Sequence, residues 1–191
     1  MSNHTTSPEY LEGQLLAAMP GMADTRFERT VIYMVSHSPA GAMGLVVNKP
    51  IPALSFPSLL EQLKITPPKA TEEIVIHAGG PVDTGRGFVL HSPDYQREAT
   101  VVVRGQLALT ATIDVLRAIA EGAGPRRRLL VLGHAGWGPG QLEAEIQANA
   151  WLTVQADEAI VFAEDEATKW NRTVAKIGID ICHLSSEVGH A

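Results

Sequence analysis

Three segments in which glycine follows or interrupts a short apolar run constrain this chain more than any other feature. They are residues Gly41–Pro50, His77–His91 and Leu129–Gly140. Glycine is required where the backbone angle φ is positive or where another backbone approaches closely. The pattern therefore predicts sharply bent strands that end in specific loops, and such loops are where function is expected. We expect the three segments to meet and to present one shared polar surface.

Size and composition are those of a single folded domain. The chain has 191 residues, of which 45% are hydrophobic and 19% are charged. A domain of this length buries roughly 70% of the surface that its unfolded chain exposes. We predict a disordered tail over residues 1–10 and one domain over residues 11–191. The single cysteine, Cys182, excludes an internal disulfide and suits a reducing compartment.

Charge and hydropathy bear on location and partners. Residues Met1–Glu9 lack the basic and apolar regions of a signal peptide, and no apolar run is long enough to span a bilayer. We therefore predict a cytoplasmic protein with no membrane partner. The formal net charge of −6 makes direct nucleic-acid binding an unfavourable interpretation. Residues Arg126–Arg128 form a basic cluster, interpreted as a solvated loop, with a phosphate or acidic-partner contact as the alternative.

The order of predicted elements indicates an α+β fold. Predicted hairpins and helices mix without a strict alternation of strand and helix, which argues against a doubly wound parallel sheet. The predicted strands are 13–19, 30–37, 44–48, 74–77, 87–91, 100–103, 106–109, 129–132, 151–154 and 159–162. The predicted helices are 56–64, 111–121, 139–149 and a last one that begins near 164.

Two glycine-rich stretches resemble phosphate-binding loops only in part. Residues 80–87 have the glycine spacing of a P-loop, but Arg86 and Gly87 replace its Lys-Ser/Thr pair and a strand follows. Residues 133–140 lack the dinucleotide pattern G-x-G-x-x-G, although the helix predicted after them could hold an anion at its start. The alternative is a loop shaped by packing around Trp137. No cofactor is predicted.

The titratable side chains favour structural roles over metal or thiol chemistry. His37, His77, His91 and His134 end predicted strands, and we interpret each as a hydrogen-bonded strand residue, with a metal site as the alternative. No metal is predicted because zinc sites usually show local ligand spacing. Cys182 beside His183 is interpreted as an inert thiol, with redox sensing as the alternative.

From about Gly13 to Ala191, the chain resembles the AlgH/YqgE family of bacterial proteins. The matching stretches are Ala18–Asp24 with Phe27 and Arg29, Gly41–Asn48, Gly79–Pro81 with Arg86–His91, Asp114–Leu116 with Ala118–Ile119, Gly136–Trp137 with Gly140–Glu143, Glu145–Ile146, Asn149–Leu152, Trp170 and Gly189–Ala191. The resemblance implies an α+β fold with a bifurcated, mostly antiparallel sheet, part of it closed like a small barrel and flanked by helices. It implies no mechanism. The family's transcriptional-regulator label is at odds with the absence of a basic recognition-helix pattern in this sequence.

We expect a non-enzymatic regulatory or adaptor protein that binds an unknown small molecule or protein partner through its glycine-rich loops. The candidate binding residues flank predicted strand ends without an evident core role: Asp24, Arg29, Asn48, Arg86, His91, Trp137, Gln141 and Glu145. The alternative role for these side chains is to brace the loops through hydrogen bonds. The alternative functions are a hydrolase that uses His91 or His134 with a carboxylate, and a nucleic-acid-associated regulator.

Overall fold

The structure, a computed structural model, describes residues 10–66, 73–104 and 106–178. Its strands are β1 (Gln14–Ala18), β2 (Val31–Ser38), β3 (Gly41–Val46), β4 (Pro50–Ser55), β5 (Val75–Ala78), β6 (Val82–His91), β7 (Thr100–Val103), β8 (Leu107–Thr110), β9 (Arg128–Trp137) and β10 (Trp151–Gln155). Its helices are a 3-10 helix (Thr25–Phe27), α1 (Phe56–Gln62), α2 (Ile113–Ala120), α3 (Gln141–Gln147), α4 (Glu158–Val161) and α5 (Glu166–Ala175). Most of the predicted tail, Met1–Glu9, and Cys182 lie outside the described residues.

The strands form one curled, mostly antiparallel sheet that forks at β9. Its main order is β10-β1-β2-β3-β9-β6-β8-β7, and β4 and β5 branch from it. The first half of β9 pairs with β5 in parallel, from Ile76 opposite Leu130 to Ala78 opposite Leu132. Its second half pairs with β3 instead, with Ala42 opposite Trp137. The α+β class and the bifurcated, half-barrel sheet expected from the resemblance are confirmed.

Strands β1, β2 and β9 are buried on both faces over most of their length, and the alternation of side chains sorts their residues into separate cores. Leu15 and Tyr33 point into the core enclosed by the curled sheet and by α4 and α5. Their neighbours Leu16 and Ile32 point into a second core beside α3. A third core lies under α1 and α2 and includes Phe56. Burial on both faces explains why these strands are apolar runs rather than alternating ones.

The second and third glycine segments meet around the middle of β9, as expected, but the three segments do not present one shared polar surface, because Asn48, Arg86 and His91 lie in separate places. Gly133 has a φ of 74°, and a Cβ there would contact the carbonyl oxygens of Gly80 and Val82. Gly80 has a φ of 149°, and a Cβ there would overlap the backbone of His134. Only residues without a side chain allow these two backbones to approach so closely. The fork in the sheet depends on this contact.

The structure corrects several predicted boundaries. Residues 159–162, predicted as a strand, lie mostly in α4, which begins where the Asp157 carboxylate accepts a hydrogen bond from the Ala159 N–H at 2.9 Å. A four-residue apolar run does not distinguish helix from strand, and the cap decides it here. Strand β9 continues through 133–137 and β6 begins at Val82, where loops were predicted. Strand β4 was not predicted.

None of the helices in the described part of the chain is long and apolar enough to cross a membrane.

Substituting Gly80 tests the close approach at the fork. We expect Gly80→Ala to lower the free energy of unfolding by about 2 kcal/mol or more, because a Cβ meets backbone and φ is positive. The matched control is Gly85→Ala, since Gly85 lies a little further along the same segment, in β6, and an alanine methyl there would have no atom within 4 Å. Urea denaturation of both variants measures the difference. Equal stabilities would contradict the argument.

Candidate functional site

A pocket of about 290 Å³ lies between the 3-10 helix, the end of β9, the start of α3 and the start of β10. We call it the indole pocket. Its lining residues are Met22, Ala23, Asp24, Arg26, Phe27, Pro81, Ala135, Gly136, Trp137, Gln141, Glu145, Ala150 and Trp151. The pocket lies here because β9 ends at Trp137 and Gly140, at a φ of 72°, redirects the chain into α3.

The carboxylate of Glu145 organises the base of the indole pocket. Its Oε2 accepts hydrogen bonds from the indole N–H groups of Trp137 and Trp151, both at 2.8 Å. Its Oε1 accepts one from Gln141 Nε2 at 2.9 Å. The other end of the Gln141 amide accepts from the Gly138 N–H at 3.0 Å. This network holds two tryptophans, the helix start and the preceding loop in one arrangement.

Three aromatic rings of the pocket pack edge to face. The centroids of Trp137 and Trp151 are 6.0 Å apart with an interplanar angle of 81°. Those of Phe27 and Trp151 are 5.6 Å apart at 72°. These are preferred geometries for aromatic pairs. Fixed rings and a fixed carboxylate give the pocket a defined shape.

Asp24 and Arg26 form the charged rim of the pocket. The Asp24 carboxylate accepts from the backbone N–H of Arg26 at 3.1 Å, which caps the 3-10 helix. The same carboxylate accepts from Arg26 Nη2 at 2.7 Å and from Nε at 3.0 Å. These bonds from Arg26 lower the pKa of Asp24, and the same pairing raises the pKa of Arg26.

The structure brings four of the eight candidate residues together in this pocket, namely Asp24, Trp137, Gln141 and Glu145. Sequence reasoning did not select Phe27 or Trp151 as site residues, although both belong to the stretches that resemble the family. Trp151 reaches the site because β10 pairs with β1, where Ala18 lies opposite Trp151. A single sequence carries no local signal for that pairing.

Arg29 and Asn48 lie together, but outside the indole pocket. The Asn48 side chain accepts from the Val31 N–H at 2.9 Å and donates to the Arg29 carbonyl at 2.8 Å. The Arg29 guanidinium lies 5.1 Å from the ring centroid of Trp170. These contacts fasten the turn before β2 to the residues that follow β3. Arg86 is elsewhere, exposed on β6 with its guanidinium 5.2 Å from the Phe88 centroid.

His91 and His134 also lie away from the indole pocket. His91 is fully buried: its Nδ1 bonds to the Ser92 carbonyl at 2.8 Å and its Nε2 to Thr110 Oγ1 at 2.9 Å. These bonds engage both ring nitrogens, and burial lowers the pKa of the ring. The His134 ring packs on Phe88, and its buried Nδ1 has no hydrogen-bond partner within the described ranges.

A larger cleft of about 610 Å³ is lined by His77 and Glu166, which belong to a charged cluster that sequence reasoning missed. Glu166 Oε1 lies 2.7 Å from His77 Nε2, and Glu166 Oε2 lies 2.8 Å from Lys169 Nζ. Lys169 is fully buried and donates to the Val47 carbonyl at 2.8 Å. Burial lowers the pKa of Lys169. The cluster ties α5 to β5 and to Val47, the residue after β3.

Residues Arg126–Arg128 line the same cleft. Arg126 Nε lies 3.5 Å from Asp94, and Arg127 Nη1 lies 3.3 Å from Glu158.

His37, the fourth strand histidine, accepts a hydrogen bond from the Leu11 N–H through Nδ1 and bonds to Glu143 through Nε2 at 2.9 Å. In residues 10–66, 73–104 and 106–178, no three or more His, Cys, Asp or Glu side chains are grouped so that they could hold a metal ion.

The lowered pKa of His91 predicts a pH dependence of stability. Below pH 6.5, the ordinary pKa of histidine, His91 binds more of its proton in the unfolded chain than in the folded protein, because the folded pKa is lower. The free energy of unfolding therefore falls as the pH drops from 6.5 to 5, by up to about 1.4 kcal/mol per pH unit. We expect His91→Gln to lose this component. Urea denaturation across that range measures it, and equal slopes for the two proteins would contradict the assignment.

The buried ion pair of Lys169 with Glu166 predicts that substituting Lys169, within α5, costs more stability than substituting Lys176, at the C-terminal end of α5. Lys169→Met leaves the Glu166 carboxylate without its cation and should lower the free energy of unfolding by about 3 kcal/mol. Lys176→Met, the matched control, removes an exposed pair with Asp157 at 3.2 Å and should cost less than about 1 kcal/mol. Chemical denaturation of both variants decides this; a small loss for Lys169→Met would show that the cluster is not a stabilising contact.

Comparisons with known proteins agree with this fold. A family model described as AlgH-like matches residues 15–182. A UPF0301 protein of Cereibacter sphaeroides is 54% identical over 182 residues, which cover 95% of this chain and 99% of that protein. A UPF0301 protein of Rhodospirillum rubrum is 51% identical over 182 residues, covering 95% of both.

Two solved structures are also similar. The solution structure of the AlgH protein from Pseudomonas aeruginosa matches with a TM-score of 0.80 and 46% identity over the whole of both chains. A Corynebacterium diphtheriae crystal structure, with a TM-score of 0.68 and 22% identity, covers 86% of this chain and 85% of that one and shares the fold. The resemblance seen in the sequence is confirmed, and this chain belongs to the AlgH-like family.

Proposed function

We propose that this protein is a non-enzymatic regulatory or adaptor protein that binds a ligand or partner in the indole pocket. The proposal rests on the Glu145 carboxylate. Its Oε2 accepts hydrogen bonds of 2.8 Å from the indole N–H groups of two tryptophans that line an open pocket. Ligand sites are concave, partly apolar and equipped with a few fixed polar groups. The indole pocket has each of these properties.

Preorganisation supports binding at this place. The rings of Trp137 and Trp151 are held by hydrogen bonds and by each other, so an occupant would not have to order them. Ordering of side chains is one of the costs that reduce binding affinity. Rigid aromatic side chains also dominate the binding energy of many protein interfaces. The pocket is thus suited to either a small molecule or a protruding side chain of a partner.

The chemistry of the pocket favours binding over catalysis. The described residues that line it include no serine, threonine, cysteine, histidine or lysine to act as nucleophile or proton carrier. Its two carboxylates accept hydrogen bonds, Asp24 from Arg26 and Glu145 from the indoles and Gln141, and the lining offers them no nucleophile to activate. The regulatory part of the proposal rests on the resemblance to the AlgH/YqgE family alone.

Tryptophan fluorescence tests this proposal, because the chain has three tryptophans and only Trp170 lies outside the pocket. In Trp170→Phe, the emission comes from Trp137 and Trp151. We expect a ligand found by a thermal-shift screen to change this emission. At about 100 times its Kd it should stabilise the fold by roughly 2.7 kcal/mol.

The pocket variant for this test is Trp137→Phe, which keeps an aromatic ring and removes the indole N–H. Ligands should lose their thermal shift in Trp137→Phe and keep it in Trp170→Phe. Binders whose shifts are the same in both variants, with no change in pocket emission, would show that the site is elsewhere and overturn the proposal.

A further inference from the structure

We infer that the occupant of the indole pocket presents an organic cation, an ammonium or guanidinium group on a short apolar stem. This inference rests on the proposed function and narrows it to one class of ligand. It starts from the charge of Glu145. Among the described residues, no cation forms an ion pair with this carboxylate, and its three hydrogen-bond donors are neutral indole and amide groups.

The carboxylate retains capacity for one more partner. An ionised carboxylate has about four acceptor positions, and Glu145 uses two on Oε2 and one on Oε1. A charged donor in the pocket would complete this set. Hydrogen bonds between a charged donor and a carboxylate are shorter and stronger than those between neutral groups.

The aromatic rings favour the same class of ligand. An aromatic ring has a positive edge and a negative face. Trp137 and Trp151 both direct their N–H edges to Glu145, and Phe27 packs on Trp151 at 72°. Proteins bind ammonium groups over the faces of aromatic rings, and a carboxylate adds a charged acceptor for the same group. The guanidinium of Arg26 already lies 5.9 Å from the Phe27 centroid.

Arg26 does not make the pocket cationic. Its guanidinium is paired with Asp24 at 2.7 Å, so these two charges at the rim offset each other. The unpaired charge among the lining residues is that of Glu145, and it is negative. A cation entering the pocket therefore meets a net attraction, and a phosphate or carboxylate meets a repulsion.

The size of the pocket limits the ligand. Its volume of about 290 Å³ is just below the roughly 300–1,000 Å³ typical of ligand sites. An alkylammonium or alkylguanidinium group of side-chain size suits this volume. Such a group can come from a free amine or guanidine compound, or from a lysine or arginine of a protein partner.

Matched probes test the inference in the Trp170→Phe protein. Butylguanidinium is compared with butylurea, and an arginine-containing peptide with the same peptide carrying citrulline; each pair differs in charge at nearly constant shape. We expect each cation to change the pocket emission and to bind at least about tenfold more tightly than its neutral counterpart. If the arginine-containing peptide binds more tightly than butylguanidinium, the occupant is a side chain of a protein partner. If butylguanidinium binds more tightly than the peptide, the occupant is a metabolite.

Two substitutions on α3 distinguish the effect of the Glu145 carboxylate on cation binding from the effect of a general change in protein charge. Glu145→Gln should abolish the preference for cations. Glu143→Gln, the matched control, removes a charge from the same helix outside the pocket and should keep the preference. If Glu145→Gln does not fold, Phe27→Leu serves instead and should weaken cation binding while the circular dichroism spectrum is unchanged.

The results for the two proposals can be told apart. Equal binding of charged and neutral probes, absence of binding by any cationic probe, or an unchanged preference in Glu145→Gln would overturn the inference. A neutral or anionic compound that occupies the pocket in the thermal-shift and fluorescence screen would leave the proposed function standing and the cation inference rejected. Binders that act only outside the pocket would overturn the proposed function itself.

Discussion

The structure depends on the contact between two glycine-bearing backbones at the middle of β9. This strand changes partners at Gly133, pairing with β5 before it and with β3 after it. The change requires a positive φ at Gly133 and the backbone of Gly80 packed directly against it. A side chain at either position would separate the two branches of the sheet. The enclosed core and both outer cores are built on these branches.

The same fork determines where the indole pocket lies. Beyond it, β9 runs along β3 and ends at Trp137, and α3 begins four residues later at Gln141. The helix then carries Glu145 back to the indole N–H groups of Trp137 and Trp151. The half-buried carboxylate is stabilised by these donors. In the proposed function, the hydrogen bonds that hold this part of the fold would also set the shape and charge of the binding site.

Much of the fold could be predicted because its signals are local. Apolar runs, glycine turns and the hairpin of β7 and β8 identified most strands, and four of the eight candidate residues lie in one pocket. The failures have physical causes. The four residues of α4 are too few to show a helical period, and their cap at Asp157 decided the conformation. Lys169 has the sequence pattern of a surface residue, and its burial depends on Glu166 and on the carbonyl of Val47.

The sequence by itself determined the family, the α+β class and the need for close backbone approaches, since glycine placement and hydrophobic runs act within a few residues. The tertiary structure alone decided which side chains meet. Trp151 reaches Glu145 through the pairing of β10 with β1, and His77 reaches Glu166 across 89 positions of the chain. Such contacts arise from strand order and from packing on both faces of the sheet. They depend on parts of the chain that are distant in sequence, so no local pattern of residues encodes them.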